Sequence, residues 1–344
     1  MPRRAARSLT LCTGSQVPLP LLVPSFSSKG FPTLEDDESG ATRSEANAPF
    51  EVTNAVLEES LLISAFDIFH DYIPAPKGML SNAEVVFIDS GGYEKLPFFD
   101  STEPLYHPFP NPPFELEDYR SVLGSFDDAL PLVTASPDWH TEKLSIAEQI
   151  AFAQEFLADY PFTKSFIIKP GTRAYVRVPD VVPSIEDLNA FDIVGVTEKD
   201  LGQNLKSRLK TLAELRAALD RVGLDMIPIH VWGGLDPVIT PLYFFAGGEI
   251  FDGLSWLRYA FHKGMLVYRD EWQVLDGGVT RSLKHSRMQV WFNNLSELTR
   301  LTSSLRMFEA SGRTNFAAFD WHREELERAF HELAAEIPEM KGVD

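Results

Sequence analysis

The stretch Glu84-Val-Val-Phe-Ile-Asp-Ser-Gly-Gly-Tyr-Glu94 decides how the rest of the chain is read. Val85 to Ile88 is a short run of apolar, mostly β-branched residues, the pattern of a strand buried on both faces. It stops at Asp89-Ser90-Gly91-Gly92, which sets a carboxylate, a hydroxyl and a bare backbone at the C-terminal end of that strand. A main chain can approach a ligand closely there. Alone, the stretch reads equally well as a strand followed by a Gly-Gly turn. A second run of the same kind, Gly248-Glu-Ile-Phe-Asp252, also ends in an aspartate and tips the balance.

Outward from these two runs lie six more. They begin at Leu21, Ser60, Leu132, Ser165, Phe191 and Met226, and the C-terminal ends read off from them carry Ser25, Asp67, Asp138, Glu198 and His230 followed by Gly233-Gly234. Between the later runs, apolar residues recur at helical spacing over Ser145–Tyr160 and Leu201–Val222, with further helices expected over Asp236–Ala246 and Leu254–Phe261. Eight buried strands alternating with helices predict an α/β fold, a (β/α)₈ TIM barrel, over residues 1–285. Two helical segments, Met288–Ala310 and Asp320–Ile337, predict a C-terminal region, 286–344, packed on the barrel. Thr33–Asn47 reads as an acidic surface loop. Pro97–Pro113 is too proline-rich for a helix and long enough to serve as a lid.

At 344 residues, 44% hydrophobic and 24% charged, the chain has the balance of a soluble globular protein. It has no apolar run of about 18 residues, and its basic N-terminus precedes a stretch too short and polar for a signal peptide. A cytoplasmic protein without membrane contact is expected. The single cysteine, Cys12, excludes an internal disulfide and a zinc site built on several thiolates. A net charge of −19 argues against phosphate backbones as partners, although local charge can override the total. The segment His262–Arg287 carries Lys263, Arg269, Arg281, Lys284 and Arg287, a mild basic patch of the kind usually found as a solvated surface.

In such a barrel the active site lies at the C-terminal strand ends. Carboxylates recur there, with no Cys/His cluster and no phosphate-cradling glycine loop. Two carboxylates facing one pocket equip a site for substitution at an anomeric carbon, one attacking C1′ and the other handling the leaving group's proton. Asp252 could equally cap the helix that follows it, and His230 reads more readily as a hydrogen-bonded barrel residue than as a metal ligand.

Ile88-Asp-Ser-Gly-Gly-Tyr93 resembles the Asp-Ser-Gly-Gly-aromatic motif of the tRNA-guanine transglycosylases, the queuine and archaeosine tRNA-ribosyltransferases. His230-Val-Trp-Gly-Gly-Leu-Asp-Pro-Val238 and Glu249-Ile-Phe-Asp-Gly-Leu-Ser-Trp-Leu-Arg-Tyr-Ala260 are similar to that family's seventh and eighth strands, and Phe191–Gly202 takes the place of its glycine-rich base-binding strand. Order and intervals agree over about residues 9–310. The resemblance implies that Asp252 attacks C1′ of a target nucleotide and that Asp89 is the general acid/base. It further implies a base pocket shaped by Ser90, Gly91, Gly92 and Tyr93, with Asp138 reading the base edge. Gly195, Val196 and Glu198 would supply contacts from the sixth strand, and His230, Gly233 and Gly234 from the seventh. The implied partners are tRNA or DNA, with the target nucleotide flipped out, and a free 7-deazaguanine base; a homodimer is a further expectation. The chain departs from the family in lacking the three cysteines of its zinc site and in carrying Glu94 where glutamine is usual. No cofactor is therefore expected, and the choice of polymer stays open. Two other readings compete: an idle paralogue that partners an active subunit, and a nucleosidase or glycoside hydrolase using the same carboxylates.

Overall fold

The computed structural model describes residues 8–31, 33–35, 42–73, 83–95, 112–139 and 143–341. Eight parallel strands close into a barrel: β1 Leu21–Phe26, β2 Ser60–Ser64, β3 Val85–Asp89, β4 Leu132–Ala135, β5 Thr163–Ile168, β6 Ile193–Thr197, β7 Ile229–Trp232 and β8 Ile250–Gly253. Each pairs with its successor, and β8 returns to β1, so no edge is left open. The expected (β/α)₈ architecture is what the chain adopts.

Alternation along each strand sorts the side chains into two cores. Val23, Leu62, Val85, Phe87, Val133, Ile167, Ile193 and Ile250 fill the barrel. Val86, Ile88, Phe166, Val194, Val196, Val231 and Phe251 face the helices. A short hairpin that the sequence reading missed, Ser8–Thr10 with Gln16–Pro18, contributes Leu9, Leu11 and Val17 to the inner core. The Cys12 backbone N–H donates to the Thr163 hydroxyl at 2.9 Å, which places this hairpin against the N-terminal end of β5. The barrel is thereby closed at the end opposite its active face.

Helices form the outer layer. Helix α1, Ile146–Leu157, starts at a capping box in which Ser145 and Glu148 bond each other's backbone N–H. Helix α2, Leu205–Arg221, starts in the same way with Asn204 and Ser207. Beyond β8, the long helix α3, Leu283–Ala310, and α4, Arg323–Glu336, pack on the barrel. Buried Asn294 on α3 accepts from the Phe261 N–H and donates to the carbonyls of Trp256 and Tyr259. Those bonds clamp α3 to the segment that follows the active-site strand β8. Phe308, Phe316 and Phe330 gather around Phe245 and cover the seam between barrel and C-terminal helices.

Two expectations are corrected. Asp67 does not end a strand: β2 stops at Ser64, and Asp67 lies in the short helix Ala65–Phe69. Leu254–Phe261 is not one helix. A single turn, Ser255–Arg258, gives way to a hairpin of Ala260–His262 with Met265–Val267. The expected lid over Pro97–Pro113 lies almost wholly outside the described residues. Among those residues no helix is long and apolar enough to cross a membrane.

Candidate active site at the barrel mouth

Asp252, the penultimate residue of β8, points inward, and three donors converge on it. The Ser25 hydroxyl at the end of β1 donates to Oδ2 at 2.8 Å. The Gly233 backbone N–H donates to Oδ1 at 3.0 Å, and His230 Nε2 lies 3.1 Å from the same oxygen. Burial holds the His230 imidazole below its ordinary pKa against the pull of Asp252, so the ring is neutral at physiological pH. Its proton belongs on the nitrogen facing the carboxylate, leaving buried Nδ1 without a partner among the described residues. Asp252 is thus a rigidly held acceptor, not a helix cap.

Asp89 ends β3 on the same face, and its surroundings are of the opposite kind. Burial raises its carboxyl well above the usual carboxylate range, and the charges of Glu94, Asp138 and Asp252 push it further. Asp89 and Asp252 both stand at the C-terminal ends of strands of the one closed barrel, so they share its mouth. Glu94 is buried behind it, accepting hydrogen bonds from the hydroxyls of Ser27 and Ser64. Asp67, fully buried, is likewise raised by burial and by Glu94 while it accepts the Ser28 N–H at 2.9 Å. Acidic side chains from β3 and from the turns after β2, β3 and β4 therefore crowd one half of the mouth.

The turn after β3 is fixed by sterics. Gly91 has φ +86°, and a Cβ there would stand 2.8 Å from the Phe114 ring. Gly92 lies against Asp138, which accepts the Ser90 hydroxyl at 3.0 Å. Tyr93 is partly exposed at the rim, with the Lys29 ammonium over its ring and Arg258 near its hydroxyl. The expected cluster Ser90, Gly91, Gly92, Tyr93 and Asp138 is contiguous in space.

The residues assigned to β6 are dispersed. Gly195 faces inward, but the Trp232 indole covers it: a Cβ would meet Nε1 at 2.4 Å. Trp232 stacks on His230 with centroids 4.1 Å apart. Val196 turns outward into the helical core. Glu198 is paired with Arg208 of α2 at 2.7 Å and accepts the Tyr243 hydroxyl at 2.8 Å, which directs it to the outer layer. Gly234 packs against Val231 behind the turn that aims Gly233 at Asp252.

One residue at the mouth was not singled out from the sequence. Lys169, just past β5, reaches Asp138 at 3.4 Å and Asp200 at 2.8 Å. Burial opposes its charge, yet those carboxylates outweigh the burial and raise its pKa. The signal available was a lysine at a strand end, a position where the acidic residues had drawn attention.

Among the described residues no group of three or more His, Cys, Asp or Glu is arranged to hold a metal ion, and Cys12 is exposed. The residues do not fit a zinc site of the thiolate kind. The basic segment expected between His262 and Arg287 is largely consumed in local contacts: His262 with Asp276, Arg269 with the Leu257 carbonyl, Arg281 with Gln289, and Arg287 with Glu45.

The chain is therefore a TIM barrel whose C-terminal mouth holds buried polar groups, among them Asp67, Glu94, His230 and Asp252. Compared with protein-family models and with curated protein sequences, it matches none of them.

Proposed function

We propose that the chain is a base-exchanging transglycosylase that replaces guanine in a nucleic acid by a 7-deazaguanine. The observation that carries this reading is the pairing of two unlike aspartates at one barrel mouth: Asp252, held by three donors, and Asp89, favouring its protonated form. Divided environments of this sort are how two carboxyl groups take different roles in one site. The motif around Asp89, similar to that of the guanine transglycosylases, supplies the base beside the sugar.

In the first half-reaction an Asp252 oxygen forms a bond to C1′ as the bond from C1′ to N9 of guanine breaks, and the Asp89 proton passes to the departing base. In the second, N9 of the incoming base bonds to C1′, its proton returns to Asp89, and the Asp252 carboxylate leaves. Neutral His230 and the Gly233 N–H hold the nucleophile without protonating it. Retention of both carboxylates speaks against an idle partner subunit, which needs neither.

Incubation with labelled guanine and either tRNA or duplex DNA is expected to place label in one polymer. Label in neither, with hydrolysis of a free nucleoside or a simple glycoside, would replace this reading by a hydrolase using the same two groups.

A further inference from the structure

Beyond the carboxylates, a groove of about 380 Å³ opens at the end of β5 on the active face. Its walls are the residues around the N-terminus of α1 and the loop Lys169–Asp180. Four cations line it, Lys143, Lys169, Arg173 and Arg177, against Glu148 and Asp180. In a chain of net charge −19 that is a local reversal of sign. Lys169 is committed to Asp138 and Asp200, and Glu148 is engaged by the Ser145 hydroxyl and N–H. Arg173 has a loose contact with Asp180 at 3.8 Å, with both side chains about half exposed. Lys143 and Arg177 are exposed and have no ion-pair partner among the described residues.

The groove is joined to the reaction centre by side chains. Ser90, next to Asp89, donates to one oxygen of Asp138, and the other oxygen of Asp138 faces Lys169 on the groove wall. An anion lying in the groove would sit one ion pair away from the Asp-Ser-Gly-Gly turn. Arginine side chains suit phosphate because the planar guanidinium can donate two parallel hydrogen bonds.

We infer that this groove binds the phosphodiester backbone flanking the reacting nucleotide, with Arg173, Arg177 and Lys143 as its contacts. The inference rests on the transglycosylase reading for the identity of the reacting nucleotide, but the phosphate chemistry stands on the groove alone. It gives a strongly acidic protein a local means of holding a polyanion.

The test compares the wild-type chain with the Arg173→Gln/Arg177→Gln double variant and a control, Lys210→Gln, on the exposed face of α2. Binding of fluorescein-labelled single-stranded RNA and DNA oligonucleotides is followed by anisotropy over a range of salt, alongside base exchange and a thermal melt to verify folding. The double variant is expected to bind more weakly, with a salt slope shallower by about 0.7 per lost phosphate contact. Its KM for polymer should rise while kcat is retained, and the control should match wild type. An unchanged affinity and slope in the double variant would overturn the groove, and continuing exchange would leave the transglycosylase reading intact. Weakened, shallower binding in a protein that exchanges no base would sink the reaction instead and keep the groove. A wild-type chain that binds neither oligonucleotide overturns the groove outright.

Discussion

The two halves of the barrel mouth are built on opposite electrostatic principles. On the β8 side one carboxylate is met by a hydroxyl, a backbone amide and an imidazole. On the β3 side carboxyl groups are buried among one another, with serine hydroxyls and Lys169 to balance them. The first arrangement holds an acceptor in a fixed direction. The second makes ionisation costly and so favours the protonated form. A fold that needed only stability would not leave Asp67, Asp89 and Glu94 buried within reach of one another, since removing a charge there is easier than housing it. The contrast sets the two aspartates in distinct chemical environments even though both lie at the C-terminal ends of parallel strands of the same barrel.

The largest expected effect breaks the β8 side. Asp252→Asn keeps the shape and the hydrogen-bond reach but removes the carboxylate proposed as nucleophile. Exchange should fall by more than about 10⁴-fold, and the covalent protein–nucleic acid adduct should vanish from a denaturing gel. An undiminished adduct would take the nucleophilic role away from residue 252.

Asp89→Asn tests the other half. Loss of a positioned general acid/base costs about 10²–10⁴-fold, and the pH dependence assigned to that group should flatten. A rate equal to wild type would show that the proton comes from elsewhere in the acidic cluster.

The fold and the residues at its mouth were legible in the sequence to an uneven degree. The strands were plain because buried parallel strands read as uninterrupted apolar runs, and both aspartates were visible as the first polar residue after such a run. Asp67 misled because Ala65 and Phe66 continue the apolar run of β2 although the chain has already turned into a helix. Glu198 misled in a different way: its position at the end of β6 was correctly placed, but Arg208 and Tyr243 draw it outward, and such a partner choice is made in three dimensions. Trp232 over Gly195 was also hidden, because whether a glycine leaves room for a ligand or for a neighbouring indole depends on the facing strand. His230 shows the reverse. The sequence suggested a hydrogen-bonded barrel residue, and the structure supplies Asp252 as its partner.

A smaller effect should follow from loosening the β8 side without removing its charge. Ser25→Ala deletes the donor to Asp252 Oδ2 and leaves the His230 and Gly233 contacts in place. A hydrogen bond to a charged group is worth about 1.5–3 kcal/mol, so kcat/KM is expected to drop by roughly ten- to a hundredfold. A matching loss in thermal stability with unchanged kcat/KM would mean that Ser25 serves the barrel and not the nucleophile.

The smallest change sharpens the β3 side. Glu94→Gln keeps a side chain of the same size between Ser27 and Ser64, whose hydroxyls can turn to meet an amide, but it removes the charge that raises both Asp89 and Asp67. Burial remains the larger cause, so the shift is partial. On the proposed mechanism, exchange requires protonated Asp89 and loses rate as pH rises through its elevated pKa, and in the variant that limb should move to lower pH. Stability carries the same sign. A carboxyl raised by folding binds more protons in the native than in the unfolded chain between the two pKa values. Native stability therefore declines as pH climbs from the ordinary Asp range, near 3.9, through the raised one. In Glu94→Gln that decline should be shallower, and the melting temperature at neutral pH higher than in wild type. An unmoved pH limb together with an unchanged melting temperature would mean that burial and the other carboxylates, not Glu94, raise Asp89 on the β3 side.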